Sequence, residues 1–73
     1  MNVFINGESI AIQTSENKVA VVECALMKFL TTDQQQRTFA VALNSDFVGR
    51  GDYAKTLIQA GDSLDVLFPI QGG

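Results

Sequence analysis

The sequence predicts an α+β domain: one sheet with a single main helix laid across one face. Three observations predict it. An Asn-Gly pair separates two short stretches near the start, a helical period of apolar residues follows, and alternating apolar residues return after it. At 73 residues the chain is read as a single domain, 1–73, with 71–73 as a flexible C-terminal tail. A chain of this size buries only about 60% of its unfolded surface, so the core is near the practical minimum.

The first element is a β-hairpin over "MNVFINGESIAIQ". Asn6-Gly7 is its turn, because a two-residue type I′ turn needs φ > 0 at both central positions. That turn dictates the register. Ile5 faces Glu8, Phe4 faces Ser9, Val3 faces Ile10, Asn2 faces Ala11 and Met1 faces Ile12. Directly opposed residues share a face, so Met1, Val3, Ile5, Ile10 and Ile12 gather on one side and Phe4 on the other. The second element is a helix over about 18–30. Val19, Val22, Leu26, Phe29 and Leu30 fall at helical spacing, and Asn17 or Ser15 can cap its start. The valines at 19, 21 and 22 weaken the first turn, which reads partly as strand.

"TTDQQQRT", Thr31–Thr38, is polar and without period, and reads as a loop. Phe39, Val41 and Leu43 then alternate with Ala40 and Ala42 as a strand. Asn44-Ser45-Asp46 turns the chain, and Phe47-Val48 adds a short return strand. The glycine-rich crossing that follows holds a helical turn near Asp52–Lys55. Ala60-Gly61-Asp62 turns into a last strand in which Leu64 and Val66 alternate with Asp65. Pro69 lacks an N–H and ends the ladder. One helix covers one face of a sheet. The other face should expose Phe4 and Leu67, and these with Ile70 make a candidate partner-binding patch. Isolated exposed apolar residues are also common, and that reading stays open.

Composition excludes several functions. Hydrophobic residues are 47% and charged residues 18%, ordinary globular values. The net charge is −3 and the five cationic residues, Lys18, Lys28, Arg37, Arg50 and Lys55, are scattered, so nucleic acid is not an expected partner. No apolar stretch approaches the roughly 20 residues that span a bilayer, and no signal peptide is visible, so a cytoplasmic setting without membrane contact is expected. There is no histidine, which removes the commonest general base and metal ligand. The single cysteine, Cys24, can form neither a zinc cluster nor a Cys-His pair, and its place between Val22 and Leu26 reads as the edge of the core. No metal site, no bound cofactor and no catalysis by the chain itself are expected.

The C-terminus is the feature that remains. At average composition two terminal glycines arise by chance in roughly 0.5% of chains. Gly72-Gly73 makes a thin arm without Cβ atoms that can thread a narrow channel. Its terminal carboxylate is unhindered, which suits activation by ATP in another enzyme.

With the tail in view, residues 41–73 resemble the C-terminal half of the ThiS family, the sulfur carriers of thiamine biosynthesis. The resemblance rests on Ala42, Leu43, Asn44, Phe47, Val48, Arg50 and Tyr53, on Gly61-Asp62 before the last strand, and on Gly72-Gly73. The opening Ile5-Asn6-Gly7-Glu8 is similar as well. Two positions depart: Ser45 stands where glycine is usual and Gly49 where proline is usual. The resemblance implies a β-grasp, ubiquitin-like fold with a mixed sheet of four to five strands and one main helix. It implies that a partner adenylating enzyme uses ATP on the Gly73 carboxylate, with Gln71 and Gly72 in the arm. A cysteine desulfurase system then supplies sulfur, and thiazole synthase receives it from a Gly73 thiocarboxylate. The tail also resembles that of the small subunit of molybdopterin synthase, a carrier with another sulfur acceptor. A β-grasp interaction or modifier domain is the reading from a different class.

Overall fold

The computed structural model describes residues 1–14 and 20–69. The candidate cap residues Ser15 and Asn17, Val19 of the helical pattern, and the tail residues Ile70, Gln71, Gly72 and Gly73 lie outside the described residues.

The amino-terminal hairpin pairs β1 (Asn2–Ile5) with β2 (Glu8–Ala11). Its register is the one that the Asn-Gly turn dictates, from Ile5 opposite Glu8 to Asn2 opposite Ala11. Asn6 has φ 52° and Gly7 φ 85°, as a type I′ turn requires. Met1 and Ile12 close the ladder: the Ile12 N–H donates to the Met1 carbonyl at 2.7 Å and the Met1 ammonium to the Ile12 carbonyl at 2.9 Å. Val3, Ile5 and Ile12 are buried and Met1 and Ile10 pack against them.

A two-residue strand, β3 (Ala20–Val21), precedes the main helix α1 (Val22–Phe29). The helix as described is therefore shorter than the periodicity predicts, and residues 20–21 of the predicted helix are strand. The physical reason lies in the β-branched residues and in a partner for them: β3 pairs antiparallel with β6 (Leu57–Ile58), inside the crossing that reads as irregular. Val21 is the N-cap and makes no side-chain capping bond. Carbonyls of the crossing take that role, since the Val22 and Glu23 N–H groups donate to the carbonyls of Thr56 and Tyr53 at 2.9 and 3.0 Å. Val22, Ala25 and Leu26 form the buried stripe. Cys24, expected at the core edge, is instead exposed. It lies two residues from both Val22 and Leu26, about 200° around the helix from each.

The Thr31–Thr38 loop contains a short helix, α2 (Thr32–Gln35), with a full capping box. The Gln34 N–H donates to Thr31 Oγ1 at 3.1 Å and the Thr31 N–H to Gln34 Oε1 at 3.0 Å. β4 (Ala40–Leu43) and β5 (Asp46–Val48) form the second hairpin. A 3-10 turn at Arg50–Asp52, slightly before the predicted position, opens the crossing. The last strand is β7 (Ser63–Leu67).

β7 is the middle of the sheet, whose order is β2-β1-β7-β4-β5. It runs parallel to β1 and antiparallel to β4. Each hairpin turn fastens itself to β7 through its first asparagine. The Val66 N–H donates to Asn6 Oδ1 at 2.8 Å, and Asn6 Nδ2 donates to the Val66 carbonyl at 3.2 Å. The Ser63 N–H donates to Asn44 Oδ1 at 3.0 Å, while the Asn44 N–H donates to the Ser63 carbonyl at 2.7 Å. Asp62 holds the start of β7 by accepting from Asn44 Nδ2 at 3.2 Å and from the Gln59 N–H at 2.8 Å. Gly61, at φ 88°, makes the entry turn. Between α1 and the sheet, the core is wholly apolar among the described residues, with Val3, Ile5, Val22, Ala25, Ile58 and Leu64 at 0% exposure.

Replacing Asn6 by Gly keeps the backbone conformation and removes both side-chain bonds to Val66. The expected loss is about 1–3 kcal/mol in urea denaturation, from two hydrogen bonds at their usual net worth. The departures at 45 and 49 should yield gains. Ser45 sits at φ 75°, a region that penalises a side chain by about 1–2 kcal/mol, so Ser45→Gly should raise stability by about 1 kcal/mol. Gly49 has φ −70° and ψ 151°, and a Cβ there meets its nearest atom at 3.6 Å. Gly49→Pro should add about 0.4–1 kcal/mol in the same assay by restricting the unfolded chain.

Candidate functional site

The working group expected from the sequence is at the C-terminus, so its described surroundings are the root of the arm and the surfaces beside it. β7 delivers the chain to that root. Leu64 and Val66 point into the core and Ser63, Asp65 and Leu67 to the opposite face, as the alternation predicts. After Leu67 the ladder stops and Phe68 and Pro69 follow, in agreement with the reading of Pro69.

Phe68 continues the buried row only in part. It is half-buried and joins an aromatic stack centred on Phe39. Phe39 packs against it at 5.6 Å between ring centroids, tilted by 59°. Tyr53 stacks on Phe39 at 6.1 Å with the rings 6° from parallel. The Arg37 guanidinium lies over Phe68 at 5.3 Å. Each aromatic pair is worth about 0.5–1.5 kcal/mol beyond burial, and an exposed cation–π contact about 0.5–1. The stack thus ties the last described turn of chain to α2's trailing segment and to the 3-10 turn. Burial pushes the Tyr53 hydroxyl above its usual range, and the nearby Arg50 charge partly offsets this.

The open face of the sheet carries Phe4 and Leu67, 42% and 67% exposed, as expected from the alternation. They do not meet. Phe4 is level with Ser63, and Leu67 is four residues farther along β7, a distance of about 13 Å. Asp65 stands between them on the same face. Leu67 instead adjoins Ala40, and Ala42 adjoins Phe47, so an apolar strip crosses β7, β4 and β5. Phe47, 76% exposed, is its most prominent side chain and was missed as a surface residue. Its signal was available: one residue before Val48 on the return strand, it must face away from the core.

Among the described residues no group of metal-ligating side chains is present, and no helix is long and apolar enough to cross a membrane. The described residues offer an exposed apolar strip beside the last strand and, bordering it, two exposed arginines.

A mixed sheet clasping one main helix, with the last strand in its centre, defines a β-grasp, ubiquitin-like fold. Comparison with protein families matches residues 3–73 to the ThiS family. The chain belongs to that family, the sulfur carriers of thiamine biosynthesis that the sequence resembles. Two solved structures share its fold. One is the crystal structure of the thiamine biosynthesis protein ThiS from Geobacter metallireducens, with a TM-score of 0.72 and 23% identity over 100% of both chains. The other is an NMR solution structure of a thiamine biosynthesis protein from Geobacter metallireducens, with a TM-score of 0.69 and 25% identity over 100% of this chain and 88% of that one. Comparison with curated protein sequences returned no match.

Charges placed on the open face should leave the fold intact. Phe4→Asp and Leu67→Asp are each expected to lower stability by less than about 1 kcal/mol in urea denaturation, because surface substitutions away from the core usually cost little. Val66→Asp, one residue from Leu67 but buried at 3% exposure, should fail to fold.

Proposed function

We propose that this chain carries sulfur as a thiocarboxylate on Gly73 for formation of the thiazole ring of thiamine. The observation that carries the proposal is the Gly72-Gly73 terminus inside a family match that extends to residue 73. The chemistry has two displacements. In a partner adenylating enzyme, a Gly73 carboxylate oxygen attacks the α-phosphorus of ATP and expels pyrophosphate, giving the acyl adenylate. A persulfide sulfur supplied through a cysteine desulfurase then attacks the Gly73 carbonyl and expels AMP. A thiol cleaves the resulting acyl disulfide, is itself oxidised to a disulfide, and leaves the thiocarboxylate.

The chain supplies the carboxylate and the docking surface, and the partners supply catalysis. Gln71 and Gly72 form the arm that enters the adenylating enzyme, where the missing Cβ of glycine permits close approach. Thiazole synthase is the proposed acceptor, and the cytoplasm is the proposed setting. Phe4, Leu67 and Ile70 are proposed as contacts on the partner side, with Phe47 added to them by its exposure beside the apolar strip.

The test is intact-mass analysis. Incubated with its adenylating enzyme, ATP, a cysteine desulfurase, cysteine and a thiol, the protein should gain the mass of one oxygen-to-sulfur exchange at Gly73. Deletion of Gly73 should abolish the gain and leave the melting temperature unchanged. An unchanged mass, with an enzyme competent on another carrier, would overturn the proposal.

A further inference from the structure

The net charge of the chain is −3, yet two of its five cationic residues meet at one place. Arg37 and Arg50 line a single cleft of about 280 Å³ whose apolar walls include Phe39, Phe47 and Tyr53. Both arginines are exposed. A guanidinium presents a planar fork of donors that matches a carboxylate, and it does so most strongly beside apolar walls, where water competes less. Gathering two cations in one cleft also costs Coulomb energy, which an anion between them recovers.

The position of the cleft narrows the occupant further. Arg37 lies over Phe68 and Phe39 packs on that same ring, so one wall stands at the root of the C-terminal arm. Phe47 forms another wall and also ends the strip of Leu67, Ala40 and Ala42 on the open face. A protein that covers the strip and takes up the arm therefore meets two guanidiniums at the edge of its contact. A free small anion would have no use for the strip.

We propose that the Arg37–Arg50 cleft docks an acidic segment of a partner protein. A carboxylate side chain sits between the guanidiniums while an adjacent apolar side chain lies on Phe47. The identity of that partner as the adenylating enzyme rests on the function proposed above; the chemistry of the cleft does not.

The test has two arms. In the first, the 15N-labelled protein is titrated with the peptide acetyl-Gly-Asp-Phe-Glu-Gly-amide, with its Asn/Gln counterpart, and with inorganic phosphate. The acidic peptide should shift the amides of residues 37–40 and 50–53 saturably, and the Arg37→Gln/Arg50→Gln variant should lose the response. Equal shifts with the amide peptide, equal shifts with phosphate, or no shifts at these residues would overturn the proposal. In the second arm, calorimetry measures binding to the adenylating enzyme. The double Gln variant should bind about tenfold more weakly and with a smaller salt dependence, and Arg37→Lys/Arg50→Lys should restore the salt dependence but only part of the affinity. Arg50→Gln alone touches none of the aromatic contacts and keeps the test valid if loss of the Arg37–Phe68 contact lowers stability. An unchanged Kd in a wild-type protein that binds would overturn the docking site. Peptide binding without any enzyme binding would instead remove the carrier reading and leave the cleft.

Discussion

The rest of the structure depends on how β7 is held between β1 and β4. It is the last strand in sequence and the middle one in space, so both hairpins must form and meet before it is secure. Backbone ladders alone end where the flanking strands turn away. The two turn asparagines extend them. Asn6 reaches the Val66 peptide with donor and acceptor together, and Asn44 reaches the Ser63 N–H. An asparagine is suited to this twice over: it tolerates positive φ, and its amide imitates the peptide group of a missing strand residue. One residue type thus sets the turn and joins the turn to the central strand.

That arrangement gives physical content to the short motifs. Asn6-Gly7 and Asn44 are the two fasteners, and Gly61-Asp62 is the entry to the strand they fasten. Arg50 and Tyr53 belong to the crossing, where the Tyr53 carbonyl accepts from the first turn of α1 and its ring joins the stack on Phe39. Residues scattered through the sequence therefore converge on two tasks, placing β7 and bracing what leaves it. The apolar core, thirteen buried residues among those described, does the bulk stabilisation, and a different apolar set of matching size could do it. The motif residues set where the last strand points.

The hairpin was legible to the residue because an Asn-Gly turn permits few registers, and the alternation of Val3, Ile5, Ile10 and Ile12 agrees with one. The open face followed from the same alternation. The start of α1 was not legible, because Val19 and Val22 fit a helical spacing while Val19, Val21 and Val22 all favour strand. The partner strand that decides the matter, Leu57–Ile58, is two residues long and carries no pattern of its own. α2 has the opposite character. Its capping box, Thr31 with Gln34, is a local signal, but no apolar stripe accompanies it, and none of its residues is buried. Cys24 was misplaced by reading its neighbours in sequence and not its angle around the helix. The tail was the clearest functional signal, and it owes nothing to the fold.

Those two sources of information meet at Phe68. A terminal carboxylate on a glycine arm has reach but little recognition of its own, since glycine offers no side chain to bind. Recognition must come from side chains near the root. On one side of that root lie Leu67, Ala40, Ala42 and Phe47, an apolar strip that desolvates easily. Bordering that strip, in a cleft that Ala40 and Phe47 also line, lie Arg37 and Arg50, charges that would select a complementary partner and orient it. Area without charge would accept many partners, and charge without area would hold none for long. The stack of Tyr53, Phe39, Phe68 and Arg37 fixes these two surfaces relative to the point where the arm begins. The role proposed above, in which one carboxylate is presented to enzymes of different chemistry, would need that fixed relation more than any reactive side chain. The absence of histidine from the sequence is compatible with such a division of labour.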